Sequence, residues 1–213
     1  MRPTLAAFLA CLAGTVPCHA AEAVRLPLQA HSVFFSMETK QARQIDPQVF
    51  VADAGATAGV GPQGIHHAAG VRPALTKADP PSAPLLNADG MPLGFSLGEW
   101  LAAEGEVTVT PAGAGVRLAM TFTGLRPNAQ YSLFENHFDQ TPIGFTPLDG
   151  AGTANGFKTD ARGNATASVV APAPLTHDNA VAVLLDDDEK TYGAQRGPVG
   201  VGVQTHLIGR PAQ

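Results

Sequence analysis

Residues 116–133 read Val116-Arg117-Leu118-Ala119-Met120-Thr121-Phe122-Thr123-Gly124-Leu125-Arg126-Pro127-Asn128-Ala129-Gln130-Tyr131-Ser132-Leu133. Side chains of a strand point alternately to its two faces. Val116, Leu118, Met120 and Phe122 therefore share one side, and Arg117 and Thr121 the other. This predicts a strand with one buried and one solvated face. Val107-Thr108-Val109-Thr110 supplies a hairpin partner through Pro111-Ala112-Gly113-Ala114-Gly115. A further strand is expected over 130–138. Composition agrees: 23 glycines and 18 prolines with few charged or aromatic residues suit a many-turned β protein better than a helical one.

The segment 122–133 resembles the Gly-Leu-x-Pro-x-x-x-Tyr corner of fibronectin type III and related immunoglobulin-like sandwiches. The matching residues are Gly124, Leu125, Pro127 and Tyr131. The resemblance implies a mainly β fold, an immunoglobulin-like antiparallel β-sandwich. In such a corner Leu125 plugs the core, Pro127-Asn128 shape the bend, and the Tyr131 hydroxyl bonds to nearby backbone. It implies a fold type and no function.

Outward from this segment, Val24-Arg25-Leu26-Pro27-Leu28 alternates and residues 32–36 are rich in β-formers, so strands are expected in both. From 37 to 84 the pattern weakens, and 52–84 reads as a Gly/Pro-rich loop. One short helix is predicted over 96–105. Ser96 caps it, Glu99 completes a capping box, and Gly105 stops it, with Leu97, Trp100 and Leu101 on one face. Residues 157–160 and 165–170 read as a hairpin around Ala161-Arg162-Gly163-Asn164. Residues 180–185 form the most apolar strand, expected to be central. Val199, Val201, Val203, Thr205 and Leu207 line one face of the last strand. Gly200 and Gly202 leave its other face bare, which predicts a backbone or bulky side chain against it.

The expected organisation is a leader over 1–20 and a single domain over 21–213. The domain comprises an irregular N-terminal part with one or more strands (21–95), the helix (96–105) and the sandwich core (106–210). Arg2, the apolar run 5–16 and the small-x-small pattern ending at Ala20 read as a signal peptide. Both cysteines, Cys11 and Cys18, lie in it, so the mature chain is expected to be thiol-free and exported, periplasmic or extracellular. Neither cysteine has a good acylation context, and no apolar run is long enough to span a bilayer. Loss of 1–20 removes one arginine and no acid, leaving 12 basic against 18 acidic residues. That balance argues against nucleic acid as a partner.

The mature chain keeps six histidines. The densest polar cluster is Glu135-Asn136-His137-Phe138-Asp139, where strand alternation puts Glu135, His137 and Asp139 on one side. His66-His67 lies in the Gly-rich loop, free to reach a site. Without cysteine, copper or zinc would be held by imidazole and carboxylate, making His137, Glu135, His66 and His67 the candidate ligands. No spacing here matches a named metal motif, and a solvated strand rim with an exposed loop pair explains the same residues. Asp186-Asp187-Asp188-Glu189 reads as a solvated acidic turn, since consecutive carboxylates lack the alternation of a calcium loop. Nucleophilic catalysis finds little support: no Gly-x-Ser-x-Gly elbow is read around Ser32, Ser36, Ser82, Ser96, Ser132 or Ser168, and no Ser-x-x-Lys occurs. The expected function is binding or scaffolding toward an unidentified protein or small ligand. A metal-binding envelope protein is the alternative and a hydrolase the second alternative.

Overall fold

A computed structural model of the chain describes residues 23–188, 190 and 193–212. The expected signal segment, both cysteines, the expected first mature residue Ala21 and Glu189 lie outside the described residues. In chain order the elements begin β1 (Val24–Ala30), α1 (His31–Glu38), β2 (Ile45–Ala52), β3 (Gly59–Val60), β4 (His66–His67) and β5 (Val71–Leu75). Next come β6 (Pro84–Leu86), β7 (Pro92–Ser96), α2 (Leu97–Leu101), β8 (Glu104–Ala112), β9 (Gly115–Thr123) and β10 (Gln130–His137). The chain closes with β11 (Gly144–Pro147), β12 (Gly156–Lys158), β13 (Ala165–Ala171), β14 (Asn179–Asp186) and β15 (Val203–Gly209). The fold is mainly β and antiparallel, and no described helix is long and apolar enough to cross a membrane.

The main sheet has nine strands, ordered β11-β10-β14-β15-β1-β8-β9-β13, with β12 also on β10. Its curl is set at β1, whose residues 24–28 pair with β8 while Gln29 and Ala30 pair with β15. Beyond that handover the two ends approach each other. Phe122 of β9 stacks on Phe157 of β12 at 4.9 Å, and Tyr131 stacks on the same ring at 5.5 Å. β9 alternates as expected, with Val116, Leu118, Met120 and Phe122 buried. β14 is interior and buried on both faces, which is why it reads as a continuous apolar run. Leu133, Val181, Val183 and Leu185 face the main core, and Phe134, Ala182 and Leu184 face the opposite side.

Several elements differ from expectation. Residues 32–36 are helical, not extended, so the described chain has two helices rather than one. α1 is held by Phe34 packing against Ala180 and Ile208 on the outer face of the sheet, and burial overrides β propensity. The stretch 37–84 is less irregular than its composition suggested. β2, β5, β6 and β7 form a second sheet in the order β5-β2-β6-β7. Within β2 the ladder breaks between Asp46 and Phe50, and the Asp46 carboxylate accepts the N–H groups of Gln48 and Val49. α2 has the expected capping box but ends at Leu101. Gly105 is instead inside β8, where a Cβ would stand 2.9 Å from Leu28 and 3.0 Å from Phe122. The expected 157–170 hairpin does not form, because β12 pairs with β10 and β13 with β9.

The last strand starts at Val203, and its pairing with β14 skips His206: Val183 faces Leu207 and Leu184 faces Thr205. This bulge lets His206 and Leu207 both turn inward, so Leu207 does not share a face with Val203 and Thr205. The bulky side chain expected at the glycines is Ile65, which would sit 2.8 Å from a Cβ on Gly200. One hydrophobic cluster takes Val49, Leu85, Leu93 and Phe95 from the second sheet together with Leu118, Tyr131 and Val183 from the first.

A candidate binding cleft

The four expected metal ligands lie in separate settings. Glu135 and His137 are on the inner side of β10, at its end. Burial raises the Glu135 carboxyl above its usual range, with the nearby His137 opposing the shift. His137 Nε2 is hydrogen-bonded to Thr146 Oγ1 at 2.8 Å. His66 and His67 form β4 against β3, and the His67 ring tilts against Phe50 at 5.6 Å. His67 Nδ1 is 3.1 Å from the Ala68 carbonyl. Among the described residues, no three His, Cys, Asp or Glu side chains stand together where they could hold a metal.

The acidic turn is only partly solvated. Asp186 is fully buried, and its Oδ1 accepts from Ser132 Oγ at 2.9 Å. Asp187 accepts from Asn87 Nδ2 and lies 3.8 Å from Arg126. The reading that no Gly-x-Ser-x-Gly elbow occurs is corrected here: Gly94-Phe95-Ser96-Leu97-Gly98 has that spacing at a strand–helix junction. Here Ser96 has ordinary extended backbone, φ −88° and ψ 162°. Its hydroxyl donates to Glu99 at 2.7 Å and accepts the Glu99 N–H. It is a helix cap.

What the fold does build is a cleft of about 490 Å³ between α1, the outer face of the main sheet, and the segments around β11 and Arg196. Three local patterns supply its walls. On α1, His31, Phe34, Phe35 and Glu38 follow i, i+3, i+4, i+7 spacing and line one side. On β10, alternation directs Asn136 outward, and Phe138 just beyond the strand follows the same side. On β15, Thr205 and Ile208 form part of the floor. Phe34 and Phe138 pack at 5.6 Å.

Polar groups are set into this apolar surface. Gln48 is committed: its Oε1 accepts the Thr205 N–H at 2.6 Å, and its Nε2 donates to Gln63 at 2.9 Å. His31 is 4% exposed, its Nδ1 has no partner, and burial pushes its pKa down to about 3, so the ring is neutral. Asn136 is 6% exposed and its Oδ1 has no partner. A buried polar atom without a partner costs about 1–3 kcal/mol, so each one in this wall calls for an explanation. The Arg196 guanidinium lies 3.5 Å over the Phe145 ring, and the Arg210 guanidinium 4.5 Å over Phe138. Arg210 pairs with Glu38 at 2.8 Å.

Sequence reasoning missed this cleft, although two signals were present: the helical spacing 31/34/35/38 and an asparagine between two phenylalanines on one strand face. Compared with protein-family models, curated proteins and solved structures, the chain matches none of them.

Proposed function

We propose that the chain is an exported binding protein, its curled sheet an immunoglobulin-like sandwich, that holds a small amphipathic molecule in the cleft beside α1. One observation carries this reading: an aromatic-walled cleft is lined by two buried polar side chains, His31 and Asn136, with unpartnered atoms. A protein selected only for stability would fill such a space with apolar side chains. The volume falls in the range of small-molecule sites, which are mainly apolar with a few placed polar groups. The corner bond from the Arg126 N–H to the Tyr131 hydroxyl, 3.0 Å, supports the sandwich assignment. The leader pattern supports export. Intact mass of the exported product is expected to begin at Ala21 without a lipid.

The cleft is tested with the neutral dye Nile red. Saturable binding with one site is expected in the parent. Gln63→Trp, at an exposed position on the rim, should close the cleft and abolish it. Asn136→Leu removes a buried orphan carbonyl and should leave the thermal midpoint unchanged or higher. Absence of saturable binding, or binding indifferent to Gln63→Trp, overturns the reading.

A further inference from the structure

We infer that the cleft selects organic monocarboxylates, with the Arg196 guanidinium holding the carboxylate and the wall formed by Phe34, Phe138 and Ile208 taking the apolar body. This rests on the cleft being a binding site and adds the chemical class of its ligand.

The charges lining the cleft decide the sign. His31 is neutral. Glu38 is the acidic group at the rim, and the salt bridge to Arg210 neutralises it. Arg196 also lines the cleft, and among the described residues no carboxylate pairs with it. Burial lowers its pKa, the mark of a cation partly stripped of water without a compensating anion. An anion brought into the cleft meets that need.

The geometry decides the kind of anion. The Arg196 Cζ lies over the Phe145 ring, 3.5 Å from its centroid. Stacking of this sort engages the π face and leaves the in-plane N–H donors free. Those donors form a planar fork that matches the two oxygens of a carboxylate. A single guanidinium balances one negative charge. A phosphate dianion would bring a second charge that no other cation lining the cleft balances, since His31 is neutral. The apolar walls exclude a small hydrated acid as the preferred ligand, since it would leave Phe34, Phe138 and Ile208 uncovered.

Isothermal titration with decanoate and with decanamide, which share a chain and differ in charge, tests this at neutral pH. The parent should bind decanoate at least about tenfold more tightly than decanamide, as expected for a charge-assisted bidentate pair. Arg196→Gln should bind both equally and retain the parent's affinity for decanamide. Arg196→Lys should recover only part of the preference, because an ammonium lacks the fork. Equal binding of the two compounds by the parent, or a preference that survives in Arg196→Gln, overturns the carboxylate assignment while leaving the cleft as a site. Failure of both compounds to bind the parent overturns the assignment and the cleft reading together.

Discussion

Tyr131 shows how much one side chain holds. Its hydroxyl accepts the Arg126 N–H at 3.0 Å and lies 3.2 Å from His206 Nδ1. His206 Nε2 is 2.8 Å from the Trp100 carbonyl, which only accepts, so Nε2 carries the proton and Nδ1 accepts from Tyr131. Trp100 stacks on the imidazole at 3.7 Å and donates its indole N–H to Asp46 at 3.1 Å. Tyr131→Phe breaks this chain and leaves both the Arg126 N–H and His206 Nδ1 without their partner. We expect a loss of about 1–3 kcal/mol in urea melts. Leu125, 2% exposed, should cost about 2–5 kcal/mol as Ala because a cavity remains. Burial pushes the His206 pKa down to about 4. The unfolded chain therefore binds that proton more readily, and the stability His206 contributes is present above pH 6.5 and lost as pH falls toward 4. Asp186 runs the other way. Burial raises it to about 7, so its contribution is present below pH 3.8 and lost as pH rises through 7. Asp186→Asn removes that loss. The stability of Asp186→Asn relative to the parent should rise from pH 4 to pH 8 by on the order of 2–4 kcal/mol, measured as paired urea midpoints. A difference flat in pH would show that Asp186 titrates as an ordinary surface carboxylate.

At the scale of elements, what could be read from sequence were the pieces whose signal is local. The alternation 116/118/120/122 marks β9 because a half-solvated strand must alternate, and the apolar run 180–185 marks β14 because both its faces are covered. Ser96 and Glu99 mark the start of α2 because both hydrogen bonds of a capping box lie within four residues. Ser96→Ala should cost about 0.5–2 kcal/mol, which a thermal or urea melt would register. Elements specified by distant partners were not legible. The three residues of β12 join β10 rather than β13 for reasons that lie in the facing surfaces, including Phe157 between Phe122 and Tyr131. α1 is a helix because Phe34 meets Ala180 and Ile208, some 150 residues away in sequence. The cleft compounds this, since α1, β10, β15 and the segment at Arg196 must all be placed before it exists. The alternation read for Glu135, His137 and Asp139 applies to the first two alone, because β10 ends at His137. The loop histidines could not be positioned, because β3 and β4 are two residues each with no periodicity to read.

Across the whole molecule, the second sheet covers what the first leaves exposed. β14 and β15 are buried on both faces, with the main core on one side and α1, Gln48 of β2 and the cleft walls on the other. Trp100, the only tryptophan, stands at the seam. Its ring is stacked on His206 of the main sheet while its N–H is held by Asp46 of β2. Separating the sheets would expose Val49, Leu85 and Phe95 along with the outer face of β15, and would break the buried polar chain at Asp46. That cost makes independent unfolding of either part unfavourable, so the described chain should lose structure in one cooperative step. Tryptophan fluorescence reports the seam, and far-ultraviolet circular dichroism reports all strands. In a urea titration the two should share one midpoint and one slope. A fluorescence transition that precedes the circular dichroism transition would mean that the seam opens while the curled sheet survives, and would divide the β5-β2-β6-β7 sheet from the nine-stranded sheet, β1 included, as separate units.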